Sequence, residues 1–399
     1  MTHPSGVPSA GSERLRAVLA EAIERELPAA VELRHELHRN AELSGAEAGT
    51  AARVAAALGD ADAPVVADTG RLVRIGSPTG PSIAVRAELD ALPIAEQTGA
   101  DWASGTEAMH ACGHDVHLAA LVALGRAAAA RADELPAALL AVLQPREEAT
   151  PSGAREVAAS AGFAAQQPAA VIGVHLQHQL SPGTVAAAAG TVNAATDDFE
   201  ITVTGIGGHA GYPHLAADPV LALCQTVVSL QQLVSRRIDP THAAVVAVGS
   251  LRAGTAPNVI PESATATGTM RTLAAADREF LRAALADTVE TVCRAHGCRG
   301  SVTVMPHEPA LVNDARLAAA CQPLLRRAGF AVDTEFRSCG ADDFAYYCGV
   351  VPSVMLFVGS GTKVSLHSPH FLPADGAVGQ VATAMLCGYL AALELVAPG

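Results

Sequence analysis

Short apolar runs alternate with helical patterns through much of the chain. Four runs have the length and composition of buried strands: Ser82–Ala87, Ala138–Leu143, Ala169–Leu176 and Ser353–Val358. Near the start, Leu15, Leu19 and Ile23 recur at helical spacing, and Pro28 predicts a break between two helical pieces. The alanine-rich stretch Leu118–Ala130 predicts another helix between two of the strands. Strands that alternate with helices favour a doubly wound α/β sheet.

The pattern changes near Ala187, where the regular alternation of strands and helices ends. Three runs beyond it predict further strands: Asp198–Val203, Ala243–Val248 and Ala264–Met270. The stretch Leu221–Val234 carries the apolar stripe of a helix, and the first pattern returns near Met305. We therefore expect a catalytic domain with a doubly wound mixed sheet at residues 13–187 and 305–399. A smaller α+β domain with an antiparallel sheet, at residues 188–304, interrupts it.

The charge of the chain argues against some classes of partner. Its 399 residues carry a formal net charge of −14, and no run of Lys or Arg stands out. Phosphate backbones and anionic lipid surfaces attract basic patches, so we expect no nucleic-acid or membrane partner. The first residues lack the basic and apolar segments of a signal peptide, and the eight cysteines are scattered. These features predict a cytoplasmic protein.

Polar side chains gather just after the predicted strands or at the start of a helix. They form five clusters along the chain: Glu88 with Asp90, Cys112 with His114, Glu147 with Glu148, His175, and His367. In open α/β sheets ligands collect at the carboxyl ends of the strands, so these clusters predict one shared site. Cys, His and carboxylate oxygen are the usual ligands of Zn²⁺ and similar divalent metals. The helix that begins after Cys112 is also expected to lower the pKa of its thiol.

Each cluster taken alone has an ordinary structural explanation. A single histidine at a strand end is more often a hydrogen-bonded residue than a metal ligand, and adjacent glutamates often lie in a solvated loop. Five such clusters at the ends of predicted strands together favour a metal site. His110 and His117 flank Cys112, but counting both would give the metals too many ligands, so both are left out of the predicted set.

Several motifs, in this order along the chain, resemble one known family. They are RHELHRNAELS, VRAELDALP, MHACGHDVH, QPREEA, GIGGHAGYPH, AGTAPNVIP, GTMRT and LHSPHF, and they extend from Arg34 to Phe371. The chain resembles the M20 metallopeptidases, and within them the branch of hippurate hydrolases, auxin-conjugate amidohydrolases and N-acyl-amino-acid deacylases. The resemblance implies that the inserted domain is a lid and dimerisation domain, and that the protein is a homodimer.

The resemblance also implies a set of metal ligands. Two divalent ions per subunit are expected, Zn²⁺ or Mn²⁺, with Co²⁺ or Ni²⁺ also compatible. The implied ligands are Cys112 bridging both ions, His114 and His175 completing one, and Glu148 and His367 completing the other. Asp90 would orient one of these ligands.

The remaining implied roles concern the reaction. Glu147 would act as general base and acid, and His209 would stabilise the oxyanion, with a reach across the dimer. Asn258 and Arg271 would hold the carboxylate of the substrate. These roles imply metal-dependent hydrolysis of the amide bond of N-acyl amino acids or related small amide conjugates.

Two other functions stay open at this point. One is a carboxypeptidase or dipeptidase of the same fold that acts on small peptides, and the other is an inactive metal-binding scaffold. Three residues depart from the family pattern: Glu88, Arg146 and Asp342. Arg146 is expected to place a positive charge beside Glu147, which would affect the pKa of that base.

Overall fold

The computed structural model describes residues 10–396 of the chain. Its helices are α1 (Ala10–Arg39), α2 (Ala48–Ala57), α3 (His114–Ala129), α4 (Gly153–Ala159), α5 (Ala161–Ala165), α6 (Pro219–Gln232), α7 (Ala275–Ala295), α8 (Ala315–Arg327), α9 (Ala345–Cys348) and α10 (Gly376–Val396). Its strands are β1 (Val65–Val66), β2 (Gly70–Ile75), β3 (Ser82–Glu88), β4 (Ala138–Gln144), β5 (Pro168–Gln177), β6 (Thr184–Ala186), β7 (Gly190–Asn193), β8 (Ala195–Thr204), β9 (Gly208–His209), β10 (Ala244–Ala253), β11 (Val259–Ile260), β12 (Ser263–Thr272), β13 (Arg299–Pro306), β14 (Leu311–Asn313), β15 (Ala331–Asp333) and β16 (Ser353–Gly359).

These elements divide into two compact units. The first contains the described chain up to Gly190, Val312–Phe336 and the chain from Asp343 onwards. The second contains Thr191–Leu311 and Arg337–Asp342. Each unit has its own hydrophobic core.

The first unit is built on a mixed sheet of eight strands in the order β1-β2-β4-β3-β5-β16-β6-β15. β3 runs parallel to β4 and β5, and β5 runs parallel to β16. β2 pairs antiparallel with β4. The sheet confirms the expected α/β fold, and the four runs predicted as buried strands are β3, β4, β5 and β16.

The two faces of this sheet differ in what they bury. Along β3, Ile83 and Val85 belong to the main apolar core that also includes α1, α3, α8 and α10. The side chain of Arg86 alternates with them and is fully buried as well. A charged residue inside a buried strand requires polar partners, which are described with the site below.

Helix α1 is continuous, so the predicted break at Pro28 is wrong. Leu15, Leu19, Ile23 and Leu37 lie in the main core on both sides of the proline. A proline inside a helix costs roughly 3 kcal/mol because it removes one hydrogen bond and crowds the preceding turn. Each large apolar side chain that is buried contributes roughly 1.5–3 kcal/mol. The burial of the continuous apolar stripe therefore outweighs the cost of a proline inside the helix.

Helix α10 packs against α1, α3 and α8 inside the first unit. By length and apolar composition its span Gly376–Leu395 would suffice to cross a membrane, but 78% of that apolar window is buried inside the protein. Burial in the core accounts for this composition.

A buried ion cluster ties α1 to α3. Arg34 Nε donates to Asp115 Oδ2 (3.0 Å), and Arg34 Nη2 donates to the Pro373 carbonyl (2.7 Å). His38 lies between two carboxylates, with Nδ1 3.1 Å from Asp115 Oδ2 and Nε2 3.1 Å from Glu96 Oε2. Only the protonated imidazole can donate from both nitrogens. The cluster therefore contains an imidazolium held by two carboxylates.

The second unit is an antiparallel sheet in the order β10-β12-β8-β13, with α6 and α7 in its core. Phe199 and Ile201 of β8 pack with Leu281 and Leu285 of α7. The three runs predicted as strands correspond to β8, β10 and β12. The pattern does not predict β13, because this edge strand is largely exposed and its apolar alternation is weak. The boundary expected after residue 304 falls inside β13.

We expect the stability of the protein to fall as His38 loses its proton. Burial alone would lower the pKa of His38, but Asp115 and Glu96 outweigh it and raise this pKa above 6.5. The stabilisation is therefore complete below about pH 6.5, the value in the unfolded chain, and is lost as the pH rises through the folded-state pKa. In urea unfolding at pH 6 to 9, the difference in free energy of unfolding between the wild type and His38→Gln should narrow with rising pH. A difference that is independent of pH would contradict the imidazolium assignment. The control is His296→Gln, because His296 lies in the second unit and is not part of this cluster.

Candidate metal centre

The candidate site lies at the carboxyl edge of the parallel part of the sheet. β3, β4 and β5 run in the same direction, so their carboxyl ends open at one edge. β3 ends shortly before Asp90, β4 ends shortly before Glu147, and β5 carries His175 near its end. Helix α3 begins at His114 after Gly113, whose left-handed backbone (φ 86°) makes the turn into the helix.

The expected metal-binding side chains come together at this edge. Two overlapping sets of donor atoms lie within 4.8 Å of one another: Cys112, Glu148 and His367, and His114, Glu147 and Glu148. Cys112 Sγ lies 3.5 Å from His175 Nε2, and Glu148 Oε1 lies 3.1 Å from His367 Nε2. The His367 amide donates to the Ala111 carbonyl (2.9 Å), which fixes its turn next to the Cys112 segment. All five side chains expected to bind metal are therefore neighbours, with Glu147 beside them.

Backbone carbonyls fix the tautomers of the two buried histidines. His114 Nδ1 donates to the Asp90 carbonyl (2.8 Å), and His175 Nδ1 donates to the Leu176 carbonyl (2.7 Å). Each Nε2 then carries a lone pair when the ring is neutral. His114 Nε2 is buried and makes no hydrogen bond within residues 10–396. Buried nitrogens without a partner are rare, and a metal ion would satisfy this one.

The pKa shifts of these histidines also suit a bound cation. Burial lowers the pKa of His175 to about 3, so this ring is neutral. Burial also acts to lower the pKa of His114, but Glu88 and Asp90 outweigh it and raise that pKa. The negative field around His114 thus favours a positive charge on its Nε2.

The thiol of Cys112 is surrounded by negative charge. Burial, followed by Glu148 and Glu147, raises the pKa of this thiol well above its ordinary range. The expectation that the start of α3 lowers this pKa is wrong, because a helix end provides only about half an elementary charge against two carboxylates. Such a thiol ionises when a cation binds next to it. The Cys, His and carboxylate donors therefore fit a divalent metal of the Zn²⁺ type.

Asp90 contacts two of the expected ligands. Its Oδ2 accepts hydrogen bonds from the Glu148 amide (2.9 Å) and the Ser44 hydroxyl (2.7 Å). Its carbonyl accepts the hydrogen bond from His114 that sets the tautomer of that ring. Asp90 is thus in a position to orient Glu148 and His114 at the same time.

The loop that carries the two glutamates turns at Arg146, which has a left-handed backbone (φ 51°). Its guanidinium binds Asp68 (3.1 Å) and Glu156 (2.5 Å), so the charge expected beside Glu147 has acidic partners of its own. The Arg146 amide donates to Glu47 Oε1 (2.9 Å), and Glu47 is fully buried. Glu47 therefore anchors the start of this loop.

A buried polar network that the sequence pattern does not predict lies behind the site. Arg86 Nε donates to Gln144 Oε1 (2.7 Å), Arg86 Nη2 donates to Asp343 Oδ1 (2.6 Å), and Arg86 also pairs with Glu88. The Ser152 hydroxyl donates to Asp343 Oδ2 (2.6 Å). The one signal in the sequence is an arginine inside an apolar strand, because a buried charge needs partners.

The other expected residues, His209, Asn258 and Arg271, belong to the second unit. His209 lies on β9, and the amide that follows it donates to the Asn258 carbonyl (3.0 Å). The Gly211 amide donates to His209 Nδ1 (2.9 Å), so the proton of the neutral ring is on Nε2. Arg271, on the inner strand β12, donates through Nη1 to the Cys339 carbonyl (3.1 Å).

Sequence comparison places most of the chain within one family. The sequence model of Peptidase family M20/M25/M40 matches residues 84–391. N-acetylcysteine deacetylase of Bacillus subtilis is 33% identical over 347 residues, which cover 86% of this chain and 90% of that protein. N-acetyldiaminopimelate deacetylase of Halalkalibacterium halodurans is 34% identical over 328 residues, covering 82% of this chain and 87% of that protein.

Solved structures show the same likeness in three dimensions. A dinuclear metal-binding M20 peptidase from Bacillus subtilis superposes with a TM-score of 0.82 at 28% identity, covering 94% of this chain and 100% of that one. An aminohydrolase, described as putative, from methicillin-resistant Staphylococcus aureus gives a TM-score of 0.87 at 30% identity, with coverage of 95% and 100%.

We expect Glu47→Gln to destabilise the protein. The Thr69 hydroxyl donates to Glu47 Oε2 (2.8 Å) and the Arg146 amide donates to Oε1, so both oxygens accept. A glutamine can accept from the Arg146 amide and donate to the Thr69 oxygen, but both hydrogen bonds then lose the carboxylate charge that strengthens them. The free energy of unfolding should fall by about 1–3 kcal/mol in urea titrations.

The matched control for Glu47→Gln is Thr69→Val, which removes one donor and leaves the carboxylate in place. Its expected loss is smaller, about 1 kcal/mol. If Glu47→Gln is as stable as the wild type, Glu47 does not anchor the loop.

Proposed function

This chain belongs to Peptidase family M20/M25/M40, and we propose that it is a metal-dependent amidohydrolase that cuts the amide bond of small N-acylated amino acids. The observation that carries the proposal is the meeting of Cys112, His114 and Glu148 donor groups beside Glu147 at the carboxyl edge of the sheet. The deacetylase names of the relatives support an N-acyl amino acid as the substrate class.

The proposed site would take two divalent ions, Zn²⁺ or Mn²⁺. The residues that would hold them are Cys112, His114, Glu148, His175 and His367. When bound, such ions acidify a water molecule and polarise an amide carbonyl. The unpartnered His114 Nε2 and the negative charge of Glu147 and Glu148 beside the Cys112 thiol support this assignment.

Glu147 is the proposed general base and acid. Its side chain is about 10% exposed, and Oε2 lies 4.0 Å from His114 Nε2. A carboxylate there takes the proton from the attacking water and passes it to the amine nitrogen as the C–N bond breaks. One side chain in this way serves both halves of the reaction.

His209 is the proposed donor to the oxyanion. The hydrogen bond from the Gly211 amide to Nδ1 leaves the ring proton on Nε2, as an oxyanion donor requires. The ring is exposed within the second unit, which supports contact with a substrate.

Arg271 and Asn258 are the proposed anchors of the substrate carboxylate. Arg271 uses one N–H for the Cys339 carbonyl, and a guanidinium has five. The remaining N–H groups suit a carboxylate in bidentate geometry. Such an anchor would favour amide substrates whose amine part carries a free carboxylate over amides that lack one.

The proposed enzyme is a cytoplasmic homodimer that associates through its second unit. On α6, Leu221 and Val228 are 57% and 67% exposed, two helical turns apart on one face. β10 lies at an edge of the sheet, where no strand within residues 10–396 pairs with its outer side. A second copy of the chain would cover both features.

Chelation should abolish amide hydrolysis, and one metal should restore it. We would measure the turnover of N-acetyl, N-benzoyl and indole-acetyl amino acids before and after a chelator, with Zn²⁺, Mn²⁺ or Co²⁺ added back. Faster cleavage of dipeptides than of any N-acyl amino acid would favour a dipeptidase of the same fold. Activity that survives complete metal removal would contradict the proposed chemistry.

Glu147→Gln tests the general base in the same assay. It should lower kcat by about 10²- to 10⁴-fold, because general acid–base catalysis contributes that much. Metal content should stay equal to that of the wild type, since Glu147 is not among the proposed ligands. A variant as active as the wild type would exclude this role.

Leu221→Asp combined with Val228→Asp should produce a monomer in light scattering, because two charges on one helix face oppose apolar association. Val350→Asp, a similar change at an exposed apolar residue of the first unit, is the control and should leave the mass unchanged. A dimer that persists in the double variant would exclude this face. A fully active monomer would exclude a reach of His209 across the dimer.

A further inference from the structure

His117 is a buried histidine that the proposed reaction does not use. It lies in the first turn region of α3 and is fully buried. One set of four donor atoms within 4.8 Å of one another consists of Glu88, His114, His117 and His175. Proximity alone would therefore allow His117 and Glu88 to act as metal ligands.

The hydrogen bonds of His117 exclude that role in this arrangement. The Leu176 amide donates to His117 Nε2 (3.0 Å), so Nε2 is an acceptor and carries no proton. His117 Nδ1 then holds the proton and donates to Glu88 Oε2 (2.9 Å). Both ring nitrogens are occupied, and no lone pair is left for a metal.

Glu88 completes the other side of this arrangement. Its second oxygen pairs with the Arg86 guanidinium. Because the Leu176 amide occupies Nε2, the hydrogen bond from Nδ1 to this carboxylate fixes His117 as the Nδ1–H tautomer. Glu88 departs from the family pattern, and here its full length spans the gap between Arg86 and His117.

The backbone of Leu176 links His117 to the candidate metal centre. The pairing of β3 with β5 ends at Gly173, so beyond that point the Leu176 amide has no partner from β3 and takes one from α3. The carbonyl of the same residue accepts the hydrogen bond from His175 Nδ1. The N–H belongs to the peptide between His175 and Leu176, and the carbonyl belongs to the next peptide. The hydrogen bond to His117 therefore acts by holding the backbone of Leu176 in place, and with it the direction of the carbonyl that His175 uses.

We propose that His117 is a positioning residue that acts on His175 through the backbone of Leu176, and that Glu88 and Arg86 hold His117 in the tautomer this requires. The proposal rests on the proposed role of His175 as a ligand. Arg86 fixes Glu88, Glu88 fixes the His117 proton, and His117 fixes the backbone of Leu176 at its N–H. The Leu176 carbonyl then orients the His175 ring so that its Nε2 lone pair faces Cys112.

A matched pair of substitutions separates the two nitrogens of His117. In His117→Asn the side-chain amide can replace Nδ1 and still donate to Glu88, but no acceptor reaches the Leu176 amide. In His117→Gln the longer side chain places an acceptor near the position of Nε2. The proposal predicts that Asn disrupts the arrangement and that Gln rescues it.

The first readout is the tautomer of His175 in the metal-free protein, measured by long-range ¹⁵N–¹H NMR with labelled histidine. Wild type and His117→Gln should show His175 as the Nδ1–H tautomer, and His117→Asn should show a mixture. The second readout is Zn²⁺ affinity in competition with a chromophoric chelator. It should fall about 10- to 100-fold in His117→Asn and stay near the wild-type value in His117→Gln.

Three outcomes would overturn the proposal. One is a His117→Asn protein with wild-type tautomer and affinity. Another is a loss of one bound metal ion in both variants, which would make His117 a ligand. The third is that Gln fails to rescue although thermal melting shows a folded protein.

If His117→Asn does not fold, Glu88→Asp takes its place. This change keeps the charge but shortens the reach to His117, and it should give the same mixture of His175 tautomers. A pure Nδ1–H signal in folded Glu88→Asp would also overturn the proposal. The tautomer measurement needs neither substrate nor metal, so it can fail while the proposed amidohydrolase activity stands, and the reverse.

Discussion

The burial of several acidic groups at one edge of the sheet is the constraint on which the first unit depends. Glu88 and Asp90 are fully buried, and Glu148 is about 11% exposed. A buried carboxylate is tolerated only when hydrogen bonds or cations replace the water that it loses. Arg86 forms an ion pair with Glu88, and the Ser44 hydroxyl and the Glu148 amide donate hydrogen bonds to Asp90. The thiol of Cys112 stays protonated in the remaining field, so a divalent cation is the group that completes the balance.

The two units hold the expected site residues in different environments. In the first unit most of them are buried, His367 being exposed, and each expected ligand is held by a backbone or side-chain partner. In the second unit His209 is exposed and Arg271 is half-buried, on β9 and β12. Because each unit has a separate core, surface residues of the second unit can change without disturbing the carboxylates behind the candidate metal centre. This separation is consistent with relatives that carry the names of different substrates.

The sequence was sufficient to predict the α/β sheet and the residues that meet at its edge. Buried parallel strands read as continuous apolar runs, and the polar residues that follow them must share one edge. The sequence did not predict that α1 continues through Pro28, because the packing of residues distant along the chain decides this. It also did not predict β13, because the exposed side chains of this strand carry little apolar pattern.

The sequence pattern also did not predict which groups surround each site residue. The raised pKa of Cys112 depends on how near Glu147 and Glu148 come in space, and local sequence shows only the helix that follows. The roles of Glu47 and Arg86 depend on partners about a hundred residues or more away along the chain. Such pairings are set by the fold as a whole, so a single sequence does not reveal them.

The second unit interrupts the first unit along the chain, and this affects how the first unit folds during synthesis. β16 lies between β5 and β6 in the sheet, yet it follows the second unit along the chain. At about 5–20 residues per second, a ribosome needs on the order of ten seconds or more to pass from β5 to β16. During that time the nascent chain holds a half-built sheet whose β5 edge is open to wrong pairing. The segment that closes this edge also precedes His367, so an incomplete chain has neither a finished sheet nor a finished centre.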